Sequence, residues 1–212
     1  MCTRYFRTEK SDEHLTSWAV VDPVMRMKLE ENRGEVRPTD FAPVVCISQR
    51  GTLFLQWQKW GFIDDSMEGW MVLNARAEGV LENRMFMHCM ENGRCLIPAA
   101  GFYEWNARKE RYVFTPNRAK NLWMAGLYRW SEDTYQFVVL TTAANESMGG
   151  IHDRMPLILG EREAVHWLID PKKAKRLLRK VPAKLCREAE YEQQVLPFLM
   201  ESSTGQKSNT SM

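Results

Sequence analysis

The chain has 212 residues, of which 44% are hydrophobic and 26% are charged, and its 29 basic and 27 acidic residues give a net charge of +2. This composition is typical of one soluble globular domain, and it excludes collagen, a coiled coil and a wholly disordered chain. The net charge by itself indicates no bulk affinity for nucleic acid. Because no apolar run approaches the roughly 18 residues of a membrane span, and the first residues lack the apolar segment of a signal peptide, we expect a protein that neither enters nor crosses a membrane.

The five cysteines indicate a reducing compartment. Their odd number, their irregular spacing and the lack of a C-x-x-C pair do not fit a disulfide framework. His88 and Cys89 with Cys95 give the one hint of a zinc site, but the two thiols are better interpreted as apolar packing positions. We therefore expect no metal and no cofactor, and a location in the cytoplasm.

The helices and the first hairpin are predicted from periodicity and turn residues. A helix is predicted to begin near Ser11, which can cap it, and to be interrupted or ended by Pro23. The segments Val44–Ser48 and Thr52–Trp57 form a predicted β-hairpin. Further helices are predicted over Ala77–Met90, Glu161–Ile169 and Pro171–Val181. The last has an apolar stripe of Ala174, Leu177, Leu178 and Val181 at helical spacing.

Six more short strands complete the predicted elements. They are Arg94–Ala99, Phe102–Trp105, Arg111–Phe114, Leu122–Tyr128, Tyr135–Thr141 and Met155–Leu159. Many short strands with flanking helices predict a single α+β domain over residues 1–200. The polar residues of 201–212 predict a disordered tail.

The charge is concentrated near the end of the chain. Residues 171–187 contain eight basic residues and no acidic residue, which leaves 21 basic against 27 acidic residues, a net charge of −6, elsewhere. One interpretation is the solvated face of an amphipathic helix. The other is a strip that follows phosphates along a nucleic acid. The sequence gives no reason to place this segment beside any chemistry.

The first string with chemical potential is residues 1–4, Met-Cys-Thr-Arg. Removal of Met1 would leave Cys2 with an α-amine of pKa about 8 beside a thiol of pKa about 8.5. Such an amine condenses with an aldehyde to an imine, and the neighbouring thiol can then close a five-membered thiazolidine. A cysteine at the second position can equally have no function.

The second string is residues 74–78, Asn-Ala-Arg-Ala-Glu. Asn74 can donate and accept hydrogen bonds, and Arg76 can bind a phosphate or carboxylate with two nitrogens. If the segment leaves a strand and enters a helix, free backbone N–H groups lie beside both. The alternative is a helix cap with a surface arginine.

The third string is residues 101–105, Gly-Phe-Tyr-Glu-Trp. In a strand Phe102 and Glu104 share one face, and Tyr103 and Trp105 share the other. A carboxyl group among aromatic rings is poorly solvated, so the pKa of Glu104 should rise, which suits a general acid–base. The alternative is a surface-exposed glutamate.

The fourth string, residues 151–156, follows the glycines at 149 and 150. His152 is one of four histidines in the chain, Asp153 could orient it or an arginine, and Arg154 could bind a phosphate. A lone histidine is usually structural, but a His-Asp-Arg sequence on a glycine-hinged loop is not typical of a core.

Together and in this order, the four strings resemble the SRAP (SOS-response-associated peptidase) family, whose members process abasic sites in DNA. The resemblance runs from Cys2 to about Leu168. It implies a compact β-rich α+β fold with a barrel-like core. The catalytic residues that it implies are Cys2, Asn74, Glu104 and His152. The DNA-binding residues that it implies are Arg4, Arg76, Arg154 and Trp105.

The resemblance also implies a substrate and an activity. The substrate would be single-stranded DNA with an abasic site, bound by a monomer, and the product a thiazolidine crosslink to Cys2 that protects the lesion during the DNA damage response. Strand-cleaving lyase and self-cleaving peptidase activities are implied beside it. Because only Met1 precedes Cys2, ordinary methionine removal would suffice to expose the amine, and we expect no broader protease role.

Three departures from the family pattern concern DNA binding more than chemistry. Thr3 replaces the usual glycine, and Glu35 replaces the asparagine of an Asn-x-Ala-Pro stretch. Trp60 and Gly61 are kept, but the proline and tryptophan that usually follow are lost around residues 63–67, where two acids stand instead. We expect weaker single-strand affinity, with Trp70 as a substitute stacking residue.

Two other functions remain open. In an N-terminal-nucleophile amidohydrolase or cysteine peptidase, Cys2 would attack an amide with help from its own amine or from His152. In a non-enzymatic DNA- or protein-binding module, the aromatic residues and the late basic segment would bind the partner.

Overall fold

The computed structural model describes residues 2–64 and 69–189. In chain order the strands are β1 Arg4–Arg7, β2 Gly34–Val36, β3 Phe41–Ile47, β4 Leu53–Trp60, β5 Phe62–Asp64, β6 Trp70–Val72, β7 Asn74–Arg76, β8 Arg94–Ala99, β9 Gly101–Trp105, β10 Arg111–Pro116, β11 Leu122–Ser131, β12 Thr134–Ala143, β13 Arg154–Pro156, β14 Ile158–Leu159 and β15 Leu185–Ala189. The helices are α1 Glu9–Thr16, α2 Pro23–Glu31, α3 Arg84–Asn92, α4 Glu161–Ile169 and α5 Pro171–Leu177.

Five strands close into a barrel. The order β12-β4-β3-β8-β11 returns to β12 through the antiparallel β11–β12 pair, and β12 runs parallel to β4. The predicted hairpin is the β3–β4 pair, with Val45 opposite Leu55. Closure leaves these strands without a free edge. The α+β class with a barrel-like core is therefore confirmed.

The barrel wall is covered on both faces, which explains the apolar strands. In β8 all six residues are buried. Cys95 and Ile97 pack in one core cluster, with residues of strands β1 and β9. Leu96 packs in the other cluster, with residues of the helices. Alternate residues of a strand point to opposite faces, so a strand covered on both sides reads as a continuous apolar run.

A second sheet, in the order β15-β10-β9-β1-β2, positions the N-terminal segment. Strand β1 lies between β2 and β9, with Tyr5 opposite Phe102. Phe102 stacks on Phe114 of β10 with ring centroids 5.1 Å apart, and both rings are buried. Cys2 lies two residues before β1, so the pairing of β1 with β9 fixes the position of Cys2 relative to β9.

The predicted start of the first helix is corrected by its capping residues. The side chain of Thr8 accepts the Ser11 N–H at 3.3 Å and the Ser11 hydroxyl accepts the Thr8 N–H, so Ser11 closes a capping box from inside α1. Pro23 is the first residue of α2, after Asp22 as its cap. Proline fits this position because the first helical N–H has no intrahelical partner.

Two later helices are shorter than predicted. Helix α3 begins at Arg84, with Asn83 as the cap that accepts the Met85 N–H, and residues 77–82 form turns. Helix α5 ends at Leu177, and Val181 is 75% exposed, so Val181 is not part of a buried stripe. The prediction for Glu161–Ile169 is confirmed by α4. The predicted polar tail lies outside the described residues.

The strand predictions are confirmed for β8 to β12, with small differences at their ends, and the predicted strand Met155–Leu159 is split into β13 and β14. Strands β1, β2, β5, β6, β7 and β15 were not predicted. Each has three to five residues. Such segments are too short to show a periodic pattern.

The burial of the cysteines fits the packing interpretation of Cys89 and Cys95. Cys46, Cys89 and Cys95 are buried, whereas Cys186 on β15 is exposed and does not pack in the core. Within residues 2–64 and 69–189, no group of three or more His, Cys, Asp or Glu side chains could hold a metal ion. In the same ranges no helix has the length and apolar character needed to cross a membrane.

A buried arginine joins two helix ends to the barrel. Arg94 of β8 donates to the carbonyls of Met90 and Glu91 in the last turn of α3, and of Trp167 and Leu168 in the last turn of α4. The last carbonyls of a helix have no intrahelical partner and carry its negative dipole end. One guanidinium group thus caps both helices.

Candidate active site

Asn74 holds Cys2 in place. The Asn74 Nδ2 donates to the carbonyl oxygen of Cys2 at 2.9 Å. Strand β7 carries Asn74 beside the barrel, paired in parallel with β12 and with Val139 opposite Asn74. The Asn74 Oδ1 is buried, and it accepts no hydrogen bond within the described part of the chain. An amide anchored through its nitrogen therefore keeps its oxygen as an acceptor beside Cys2.

The Cys2 side chain is fully buried, and it is a neutral thiol. Burial raises the pKa of this thiol well above its ordinary value, and the charge of Glu104 raises it further. The Sγ lies 3.8 Å from the Arg4 carbonyl oxygen, its hydrogen-bond acceptor. A thiolate is the reactive form of cysteine in acyl transfer. This environment disfavours that form.

Glu104 lies on the buried face of β9, as its strand pattern predicted. Phe102 and Glu104 are 0% and 3% exposed, whereas Tyr103 and Trp105 on the other face are half-buried. Burial raises the pKa of the Glu104 carboxyl group, and nearby positive charge, including that of the His152 ring when it is protonated, acts in the opposite direction. A carboxyl group with a raised pKa can both give and take a proton near neutral pH.

His152 reaches the same site on a loop between β12 and β13. Gly150 adopts φ +77°, a left-handed conformation that glycine allows without strain. The His152 Nδ1 accepts the Arg154 N–H at 2.9 Å, and the Asp153 Oδ1 lies 2.9 Å from the same nitrogen. The first contact requires an unprotonated Nδ1, which places the ring proton on Nε2. Protonation of the ring would instead favour the contact with Asp153.

The four side chains lie together although they are far apart in sequence. The Cys2 carbonyl oxygen accepts a hydrogen bond from Asn74. Glu104 acts electrostatically on Cys2, and His152 acts electrostatically on Glu104. Two strands, the segment before β1 and one loop supply them. The arrangement brings a carboxyl group, an imidazole and an amide around the residue that removal of Met1 would make N-terminal.

Arg154 and Arg76 lie on strands that pair with the end of β12, but their surroundings differ. The Arg154 guanidinium donates to both carboxylate oxygens of Glu78, at 2.6 and 2.9 Å, and to the Thr141 carbonyl oxygen at 2.7 Å. The hydrogen bond from Arg154 holds the pKa of Glu78 below its ordinary value. Arg76 is exposed, two residues after Asn74 and so on the same face of β7. The segment does leave a strand, β7, but it does not enter a helix directly, because turns separate Arg76 from α3.

Arg4 is held by a ring and by an acid. Its guanidinium lies 5.2 Å from the centroid of the Trp105 ring, and its Nη1 lies 3.3 Å from the Glu35 Oε1. The same Glu35 oxygen accepts a hydrogen bond from Arg37 Nε at 2.7 Å. Glu35 therefore places one negative charge between two guanidinium groups.

Trp60 and Gly61 have a structural role next to the site. The Trp60 Nε1 donates to the Leu73 carbonyl oxygen at 3.0 Å, which fixes the residue before Asn74. Gly61 has φ +118°, and a Cβ there would lie 2.6 Å from the Met71 Cγ. Trp70 is 70% exposed. Residues 65–68 of the altered loop lie outside the described residues.

Sequence reasoning missed two of the charged partners in the site. Glu78 is the partner of Arg154, and Glu35 is the partner of Arg4. Glu78 stands in the same string as Arg76, so its presence was visible, but its pairing across 76 residues of sequence was not. The chain carried no local signal for that pair.

The sequence matches a protein family and individual relatives within it. The family model of the SOS response associated peptidases (SRAP) matches residues 1–196. The abasic site processing protein YoqW of Bacillus subtilis is 39% identical over 124 residues, which are 52% of this chain and 55% of that protein. The abasic site processing protein YedK of Escherichia coli is 24% identical over 179 residues, 79% of either chain. The match thus spans only about half the length of the Bacillus relative.

Solved structures support the fold alone at their level of identity. A protein from Bacteroides thetaiotaomicron superposes with a TM-score of 0.76 at 22% identity, over 89% of this chain and 91% of that chain. A phage-related protein from Bordetella bronchiseptica gives a TM-score of 0.68 at 23% identity, over 90% and 95%.

Proposed function

Since this chain belongs to the SOS response associated peptidase (SRAP) family, we propose that it processes abasic sites in DNA by linking itself covalently to them through Cys2. The observation that carries the proposal is the buried Glu104 acting on Cys2, whose carbonyl is held by Asn74. The relatives are named abasic site processing proteins, which agrees with this substrate.

The chemistry needs an aldehyde and a 2-aminothiol. An abasic site is partly a ring-opened aldehyde, and removal of Met1 gives Cys2 a free α-amine. The amine adds to C1′ to form a carbinolamine, which loses water to give an imine. The thiol sulfur then adds to the imine carbon, and the thiol proton passes to the nitrogen. The product is a thiazolidine, and one water is released.

The neighbouring side chains have distinct roles in this sequence. Glu104 takes a proton from the α-ammonium group, which frees the amine to attack, and returns a proton to the departing hydroxyl. Asn74 orients the amine or a sugar hydroxyl through its Oδ1. His152, with its proton on Nε2, assists proton transfer at the deoxyribose, including reversal of the link or strand-cleaving elimination.

The arginines hold the phosphates on either side of the lesion. Arg4, Arg76 and Arg154 position the backbone without reading sequence, with Trp105 supporting Arg4. The exposed Trp70 stacks on a base. We propose single-stranded DNA as the substrate, because a lesion held in a cleft requires an accessible and bendable backbone, and a monomer acting in the cytoplasm.

A cysteine peptidase fits this site less well. Such an enzyme needs a thiolate or a base poised to make one. Here burial and the nearby Glu104 both raise the pKa of the thiol. The same neutral thiol is no obstacle to thiazolidine closure, since an imine is attacked after its formation by the neighbouring amine.

The test is a crosslinking assay with the wild-type protein. Single-stranded oligonucleotide with one abasic site should give a product that survives heat and denaturant, with the mass of the protein lacking Met1 plus the DNA minus one water. The control oligonucleotide has its abasic aldehyde reduced to an alcohol and should give none. Turnover of peptides without any DNA adduct would support the peptidase instead.

Replacing Glu35 with Asn is expected to strengthen DNA binding. The change removes the carboxylate that lies 3.3 Å from Arg4 and restores the residue typical of the family at that position. A partly exposed ion pair contributes about 0.2–1 kcal/mol, so the gain should be about 1.5- to 5-fold in affinity. Fluorescence anisotropy with an abasic analogue lacking the aldehyde measures it. Glu31→Asn, on the exposed end of α2, is the matched control, and an equal gain there would reduce the effect to net charge.

A further inference from the structure

We infer that a basic groove beside the active site binds the phosphate backbone of the DNA strand as it leaves the lesion. The groove has a volume of about 710 Å³, and its cationic side chains are Lys175, Arg176, Arg179 and Lys180. These residues belong to the basic segment that the sequence left unplaced. The inference rests on the proposed function and extends its substrate contacts.

The other wall of the groove adjoins residues of the active site. That wall is formed by Ala77 and Glu78, which directly follow Arg76, and by residues 142–144 of β12 and its end. Ala143 lies opposite Arg154 in the β12–β13 pair, and Glu78 accepts a hydrogen bond from Arg154. A strand whose phosphates contact Arg76 and Arg154 therefore lies at the entrance of the groove.

The end of the basic segment is bound to the loop that carries His152. Asn145 Nδ2 donates to the carbonyl oxygens of Pro182 and Ala183, at 2.9 and 3.1 Å. Arg187 Nη1 donates to the Gly149 carbonyl oxygen at 3.0 Å. The structure therefore places the segment next to the loop that supplies a candidate catalytic residue.

Three of the four groove cations are available for a ligand. Lys180 is paired with Glu163, whereas Lys175, Arg176 and Arg179 form no ion pair within residues 2–64 and 69–189. Lys175 and Arg176 lie in the last turn of α5, and Arg179 lies in the turn that follows, where its backbone N–H donates to the Arg176 carbonyl oxygen at 3.2 Å. Of the two acids in the lining, Glu78 is neutralised by Arg154, and Glu82 is exposed.

A phosphodiester chain fits this lining better than an acidic protein segment. The groove lies beside the residues that are proposed to hold phosphates, and Lys175, Arg176 and Arg179 all line it. Both features are expected of a surface that follows a nucleic acid backbone, which is bound through charge without base reading.

The experiment measures the salt dependence of non-covalent binding to oligonucleotides with an abasic analogue that lacks the aldehyde. The groove variant is Lys175→Gln with Arg176→Gln and Arg179→Gln. The control removes three charges from the same segment outside the groove, as Lys172→Gln with Lys173→Gln and Lys184→Gln. A long oligonucleotide of about 12 nucleotides and a short one of about 4 differ in whether flanking DNA reaches the groove.

The groove variant should reduce the salt slope on the long oligonucleotide by about 2, since each phosphate contact to a single strand contributes about 0.7. Between about 50 and 200 mM salt, the wild-type affinity should then fall about 15-fold more than that of the variant. The slope on the short oligonucleotide should not change. An unchanged slope on the long oligonucleotide, or an equal reduction in the control, overturns the inference.

Two further arms keep the conclusions separate. If the groove variant loses affinity for polyglutamate while its DNA slope stays the same, the ligand is an acidic protein segment and the inference is wrong. Crosslinking of the short abasic oligonucleotide should be the same in wild type and groove variant. Failure of that crosslink in the wild type contradicts the proposed function, whereas the salt slopes decide on the groove independently.

Discussion

The Cys2→Ala protein is expected to give no DNA adduct that survives heat and denaturant, under conditions where the wild type gives one. After removal of Met1 the variant still has an α-amine and can form an imine with the abasic aldehyde. An imine is hydrolysed back to its components, whereas the thiazolidine of the wild type is a closed ring. The loss is therefore confined to the step that needs sulfur.

A gel assay with two arms measures this difference. Without reductant the variant should show no shifted band, and with borohydride, which reduces an imine to a stable amine, it should show one. Cys186→Ala removes an exposed cysteine on β15 and serves as the matched control. An undiminished stable adduct in Cys2→Ala, or the same loss in Cys186→Ala, would contradict the assignment of the thiol.

The packing around Cys2 gives the reason to expect a clean result. The residue is fully buried, and its thiol is protonated because of burial and of Glu104. Alanine occupies less volume than cysteine, so the carbonyl can keep its hydrogen bond from Asn74 and the N-terminal position is retained. The variant thereby separates the thiol from the amine, since it removes only one of the two nucleophiles.

Parts of the candidate site were predictable from the sequence, namely those that depend on one short segment of the chain. Glu104 lies among aromatic residues on one strand, and the alternation of that strand predicts both its burial and the direction of its pKa shift. His152 follows two glycines, which predict a tight loop. These inferences depend on neighbours within five residues, where the covalent chain itself fixes the geometry.

The remaining features depend on contacts between segments that are far apart in the sequence, and no local pattern predicts them. Glu78 and Arg154 pair across 76 residues, and the basic segment meets the His152 loop through Asn145. The closure of the barrel depends on the parallel pairing of β12 with β4. Arg94 was interpreted only as the first residue of a strand, yet it caps two helices. Such pairings are decided by packing of the whole domain, so propensity and spacing could not reveal them.

Glu104→Gln is expected to slow adduct formation by about 10²- to 10⁴-fold, the usual contribution of a positioned acid–base group. Glutamine keeps the size and the hydrogen-bonding capacity of the side chain but cannot exchange a proton. Single-turnover kinetics with abasic oligonucleotide measure the rate, and binding of the aldehyde-free analogue should stay within about threefold of the wild type. Glu110→Gln, on the turn after β9, is the matched control.

The pH dependence distinguishes proton transfer from a change in shape. In the wild type the rate should rise through an acidic limb whose midpoint lies above the ordinary glutamate pKa of about 4.3, because burial raises the pKa of Glu104. That limb should disappear in Glu104→Gln, and only the ionisation of the amine near pH 8 should remain. A limb that persists unchanged in the variant would assign it to another group.

Folding stability provides the independent check on this variant. Because burial raises the folded-state pKa of Glu104 above its unfolded value, the stability that Glu104 contributes is present below the unfolded pKa and is lost as the pH rises through the folded pKa. The free energy of unfolding of Glu104→Gln, relative to wild type, should therefore increase with pH across that window in urea titrations. A variant that is slow in the assay but equally or more stable at neutral pH has lost a proton carrier. A variant that unfolds more easily there has lost a structural contact, and its slow rate would say nothing about catalysis.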